Sequence, residues 1–273
     1  MSESSKKLLI CGGDSWSSIN DPCYKEFGVD KIWTDMVADF MDWDIINTGL
    51  GGADNGYIHG AVVDAIEENL DRDIVVMANW SQAIRLVPYD LNIAQLTWNV
   101  NIPSLEPPFG PMKVTAQKTM RELFSLHVTD SWLTREHFWM KVANFSLRQI
   151  YQLDTYCKNK EIPIIHHRAL QTLSGIEWIL EPRINPYLRR DMLKVVKENQ
   201  YYKKIGKFKN VVGNKNFFAR KSSCFELYPD YFLSPSEKHP NKQGMSLIAH
   251  SFINKYLEIY GAETTAEPSY VYD

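Results

Sequence analysis

The chain has 273 residues, enough to bury a sizeable core in one large α/β domain or two small ones. Its 30 Lys and Arg against 33 Asp and Glu leave a formal charge of −3, so nothing electrostatic calls for a nucleic-acid or anionic-membrane partner. Eight Trp and fourteen Tyr suit a sugar-facing surface or a well-filled core equally. The four cysteines, Cys11, Cys23, Cys157 and Cys224, are scattered without a C-x-x-C pair, which speaks against a metal site or a disulfide framework and for a reducing compartment. The polar start, Met1 to Lys7, leads into an apolar run too short for a signal-peptide core, and no later stretch approaches a membrane span. Cytoplasmic synthesis without a signal peptide is the expectation.

Leu8-Leu9-Ile10-Cys11 reads as a buried strand ending in the Gly12-Gly13 turn. Ile32, Trp33, Met36, Val37, Phe40 and Met41 fall at helical spacing within 30–42. A second strand spans Asp44 to Asn47 and ends in Gly49-Leu50-Gly51-Gly52. Ile58, Val62, Ile66 and Leu70 then recur every four residues, with Asp54 or Asn55 available as a cap. Ile74-Val75-Val76-Met77-Ala78 is apolar on both faces, as the central strand of a parallel sheet should be. Strand and helix alternating in this way place the chain in the α/β class.

A proline-bearing stretch near 87–114 reads as a loop over a site or an interface. A long helix is predicted over 134–159 and a strand at Ile162-Pro163-Ile164-Ile165. Residues 170–230 are basic in part and mix helical pieces with one further strand. Gly244 to Tyr260 closes the fold as a helix, and the tail over 261–273 is polar and expected to be loose. The organisation expected is one domain over 1–260, with insertions near 87–114 and 170–230.

Four short pieces carry chemistry. Gly13-Asp14-Ser15 follows the first strand, at the sheet end where ligands bind in open α/β folds. Asn47 to Asn55 follows the second; a dinucleotide G-x-G-x-x-G from Gly49 would need glycine where Asp54 stands, whereas its glycine N–H groups can serve an oxyanion. Asn79 follows the central strand and can donate its amide to the same oxyanion. His239-Pro240, with Gly244 behind, precedes the last helix and offers a general base for an activated serine. Singly, each reads more readily as a turn, a cap or, for the histidine, a surface residue. His166 and His167 follow a strand and could line the cleft. No carboxylates or thiols sit at ligand spacing around any histidine, so no metal and no cofactor is expected.

The order of these pieces resembles the block order of the SGNH (GDSL-type) hydrolases from Leu8 to about Tyr260. That resemblance implies a three-layer α/β/α sandwich with a mostly parallel sheet of about five strands. It implies Ser15 as nucleophile and His239 as base, with the Ser15 and Gly52 N–H groups and the Asn79 side chain as oxyanion hole. Two departures stand out. The third block, usually Gly-x-Asn-Asp, reads Met77-Ala78-Asn79-Trp80, and Trp80-Ser81 with Arg85 resembles a divergent variant among bacteriophage-encoded members. The last block, usually Asp-x-x-His, has Ser236 in place of the aspartate. Glu237 is then the nearest acidic orienter of His239; otherwise a Ser–His dyad relies on a backbone carbonyl, or activity is lost.

The resulting expectation is a serine esterase acting through an acyl-serine on a small-molecule or carbohydrate ester, with O-acetylated carbohydrate favoured. The alternative is a catalytically silent binding or structural module of the same fold, for example in a virion.

Overall fold

A computed structural model describes residues 6–81, 132–169, 196–213, 217–218, 229–234 and 239–261, with 132–142 as helical backbone only. The expected covering loop near 87–114 lies outside the described residues, as do much of 170–230 and the tail beyond Gly261.

Strands β1 (Leu8–Gly13), β2 (Asp44–Asn47), β3 (Ile74–Trp80) and β4 (Ile164–Arg168) form one parallel sheet in the order β2-β1-β3-β4. Parallel neighbours need crossovers, and helices supply them. These are α1 (Pro22–Glu26) and α2 (Trp33–Met41) after β1, α3 (Asn55–Glu67) after β2, and α4 (Trp132–Asn159) leading into β4. The short α5 (Gln200–Ile205) and the closing α6 (Lys242–Tyr260) follow β4 in the chain.

Strands β1, β3 and β4 are buried throughout, whereas the edge strand β2 is partly exposed. Leu8, Ile10, Val76, Ala78 and Ile164 pack with Ile58, Val62 and Ile66 of α3 and Leu147, Ile150 and Leu153 of α4. Their strand neighbours Leu9, Cys11, Val75, Met77 and Ile165 point the other way, onto Trp33 and Val37 of α2 and Ile248, Phe252 and Tyr256 of α6. Side chains alternate faces along a strand, so one apolar run feeds two cores. The α/β/α sandwich is therefore present, with four strands among the described residues rather than about five. Beside β4, the fifth place is held by a single parallel bridge, His166 to Val211. His166 N donates to Asn210 O and Val212 N to His166 O, both at 2.8 Å. Val211-Val212 is an isolated apolar pair, too short to extend the ladder.

Several boundaries differ from the sequence reading. Strand β3 does not stop at Ala78 but carries Asn79 and Trp80 inside it, because β4 pairs with it as far as Trp80 against Arg168. His166 and His167 likewise lie within β4, fully buried, and not after a strand. Helix α3 ends at Glu67, so Leu70 falls beyond it and stands 49% exposed. Helix α6 begins at Lys242, earlier than Gly244, because the Asn241 side chain accepts from Gly244 N at 2.9 Å and caps it. No helix among the described residues is long and apolar enough to cross a membrane.

Candidate active site

Ser15 opens a 3-10 turn, Ser15–Ser17, immediately after β1. Asp14 shapes it: buried, it accepts from Trp16 N at 3.1 Å through Oδ1 and from Ser17 N at 2.8 Å through its carbonyl. Ser15 itself is half-buried, whereas Trp16 and Ser17 turn into the core. The Ser17 hydroxyl accepts from Trp33 Nε1 at 3.1 Å and from Asn79 Nδ2 at 3.3 Å. Trp33 in turn stacks on Phe252 of α6, so the turn is tied to the last helix through one indole.

The glycine turn after β2 clamps this serine turn from the side. Leu50 N donates to Gly13 O at 3.1 Å, and Asn47 Nδ2 to Ser17 O at 2.9 Å. The approach leaves no room for side chains: a Cβ on Gly13 would lie 2.0 Å from Ser17 Oγ, and one on Gly49 2.1 Å from Ser17 O. Gly52 has φ 83, a left-handed conformation that L side chains resist. These contacts explain the G-L-G-G run without any nucleotide.

Asn79 sits opposite Gly13 in the β1–β3 register and is fully buried. Besides its bond to Ser17, its Oδ1 lies 2.6 Å from His167 Nδ1. An amide oxygen only accepts, so His167 carries its proton on Nδ1. Burial, with Arg168 adding repulsion, pushes the His167 pKa down to about 3. The Asn79 amide thus ties β4 to the serine turn, spending one Nδ2 hydrogen on Ser17.

His239 arrives from the other end of the chain on a short pinned segment. Phe232 and Pro240 form an antiparallel bridge, Leu233 N donates to His239 O at 2.9 Å, and Asn241 N donates to Tyr231 O at 2.8 Å. Gly244 permits this, since a Cβ there would meet Tyr231 O at 2.4 Å. The imidazole packs edge-on against Tyr24 of α1, with ring centroids 5.6 Å apart, and its Nε2 is buried. One ligand-type atom each of His239, Asp21 and Cys23 lie within 4.8 Å of one another. A Cβ on Gly51 would lie 3.0 Å from Asp21 Oδ2. His239, the glycine turn and the segment following Ser15 therefore converge around Asp21. Ser236 and Glu237 lie outside the described residues. A cleft of about 1210 Å³ between α2 and α6 is lined by Met36, Phe40, Asn241 and Ile253, among others, but by none of Ser15, Gly52, Asn79 or His239.

No family model matches the chain, and no curated protein does. Solved structures similar to it have been found. Among them are proteins described as G-D-S-L-family lipolytic proteins and an acetylxylan esterase. One is a catalytic mutant of Axe2, an acetylxylan esterase from Geobacillus stearothermophilus, at 14% identity over 93% of this chain and 96% of that one, TM-score 0.44. Another is a member of the lipolytic protein G-D-S-L family from Veillonella parvula, at 13% identity over 93% and 98%, TM-score 0.40. A GDSL-like lipase from Bacteroides thetaiotaomicron matches at 11% identity over 93% and 88%, TM-score 0.35.

Two groupings were missed in the sequence. His166 accepts from Trp80 Nε1 at 2.9 Å through Nδ1, so its Nε2–H faces Asp154 Oδ1 at 3.1 Å. Asn210 and Lys158 also donate to Asp154. Burial alone would raise the Asp154 pKa, but these donors, His166 first, outweigh it and bring it down to about 2. The other grouping is Asp21 and Cys23 beside His239. Asp21 looks like a helix cap in sequence, and is one, accepting from Cys23 N at 3.3 Å; its distance from His239 along the chain hid the rest.

Proposed function

We propose that this protein is a serine ester hydrolase of the SGNH type, with Ser15 as nucleophile and His239 as general base. The observation that carries the reading is the convergence at the sheet's carboxyl end. A half-buried serine opens the turn after β1, the glycine turn clamps that turn, and a pinned histidine packs against the segment just beyond it. A serine is a weak nucleophile until a neighbouring base takes its proton, and a histidine held by backbone on both sides suits that task. Attack on an ester carbonyl forms the Oγ–C bond. The proton passes to His239 and on to the leaving alcohol, and water then releases the acid from the acyl-serine. The N–H groups of Ser15 and Gly52 and the second Nδ2 hydrogen of Asn79 are the donors proposed for the oxyanion. The substrate class proposed is an O-acetylated carbohydrate.

The test is intact-mass analysis after treatment with a fluorophosphonate probe. One adduct, mapped to Ser15 and lost in Ser15→Ala, is expected. Labelling at Ser17 or Ser81 would move the nucleophile, and no labelling of the folded protein would leave the silent module as the better reading.

A further inference from the structure

We propose that Asp21, Cys23 and His239 form a site for a thiophilic divalent transition metal of the Zn2+ kind, and that occupying it silences the esterase; the silencing rests on the base role of His239 proposed above. The donors are a carboxylate oxygen, a sulfur and an imidazole nitrogen, the set that zinc accepts. One such atom from each residue lies within 4.8 Å of the other two. Zinc bonds of about 2.0–2.3 Å set tetrahedral ligands about 3.3–3.6 Å apart, so closing the site needs side-chain shifts of about 1 Å.

The surroundings favour such a closure. Asp21 and Cys23 are 6% and 9% exposed, so neither donor is dispersed in solvent. The bond from Cys23 N to Asp21 Oδ1 holds the carboxylate, and its Oδ2 lies where a Cβ on Gly51 would come within 3.0 Å of it. His239 is held by Tyr24 and by the backbone bond through its own carbonyl. The other described cysteines are poor competitors. Both are fully buried, and burial pushes the Cys157 thiol up to about 12 and the Cys11 thiol well above its ordinary value.

On binding, the Cys23 S–H bond breaks, its proton goes to solvent, and a metal–sulfur bond forms. The imidazole lone pair that would take the Ser15 proton goes to the metal instead. Three residues of no special spacing thus become a metal-sensitive off-switch built around the base.

The test is an anaerobic titration of the full chain with Co2+, read by the thiolate-to-cobalt charge-transfer band in the near ultraviolet. A band that Zn2+ displaces, that Cys23→Ser abolishes and that Cys224→Ser retains is expected. Losing even an outer-shell partner costs a metal site about 10–100-fold, so Cys23→Ser should weaken Zn2+ binding by about 100-fold or more. Fluorophosphonate labelling of the wild type should slow at saturating Zn2+ and recover with chelator. Absence of a Cys23-dependent band overturns the site, whatever the labelling. A band with labelling at full rate under Zn2+ overturns the silencing. A band in a protein that never labels, even with chelator, supports the site and removes the esterase reading instead.

Discussion

His167 gives the sharpest handle on stability, because its titration differs so widely between the folded and unfolded chain. In the unfolded chain a histidine takes up a proton near 6.5, whereas in β4 burial holds the His167 value down at about 3. The folded state refuses a proton that the unfolded state accepts, so the stability this histidine allows is complete above about pH 6.5. It drains away as pH falls from there towards 3. At pH 5, about 1.5 units below the unfolded value, the loss is about 2 kcal/mol at 1.36 kcal/mol per unit. Since pH 5 lies well above the folded value, the loss there depends on the unfolded value alone. The variant to compare is His167→Gln, which keeps a polar group near Asn79 Oδ1 but cannot titrate. Urea unfolding at pH 7, 6 and 5 should show the wild type losing about 2 kcal/mol more than the variant across that range. His59, whose pKa burial also lowers, adds the same drift to both proteins and cancels. Asp154 does not contribute at these pH values, because its carboxyl stays ionised in both states. Equal pH slopes in the two proteins would show that His167 charges in the folded state, and would refute the reasoning.

Three further outcomes follow from the same geometry. Asn79→Ala should lower kcat by about 100- to 1,000-fold with little change in KM if its amide serves the oxyanion, and should cost about 1–3 kcal/mol by leaving the buried His167 Nδ1–H without its acceptor; normal turnover in a folded variant would remove Asn79 from the mechanism. Gly13→Ala forces a Cβ to within 2.0 Å of Ser17 Oγ, so it should cost about 1–3 kcal/mol and slow labelling of Ser15, and an unchanged melting temperature would mean that the turn is looser than described. Asp154, with its pKa near 2 when folded and near 3.8 when not, contributes stability present above about pH 4 and lost as pH falls through 2, so acid unfolding of the wild type should carry about 2 kcal/mol of pH dependence that Asp154→Asn lacks.

Local pattern was enough to read the framework of this chain. The run Leu8–Cys11 and the run Ile74–Ala78 are apolar at every position, which only a strand covered on both faces requires, and both are central strands. Asp54 or Asn55 before a four-residue apolar repeat announced α3, and Asp54 is the residue that caps it. The glycines of the turn after β2 were legible as a tight turn or as oxyanion donors, but the close approach of Ser17 that they allow was not.

What tertiary structure alone decided are the pairings between distant segments. How far β3 runs depended on β4, nearly a hundred residues on, so Asn79 and Trp80 read as loop and proved to be strand. The two histidines of β4 looked like cleft residues because a polar pair after an apolar run suggests a strand's end. Their burial depends on partners no local pattern contains: Asn79 for one, and Trp80 with Asp154 for the other. His239 could be singled out in the sequence beside Pro240, yet its neighbours Asp21, Cys23 and Tyr24 could not. Periodicity and capping act within a turn or two of chain and leave their marks in sequence. Which side chains meet across a sheet or between the two ends of the chain depends on how the layers pack, and that is fixed only when the whole chain folds.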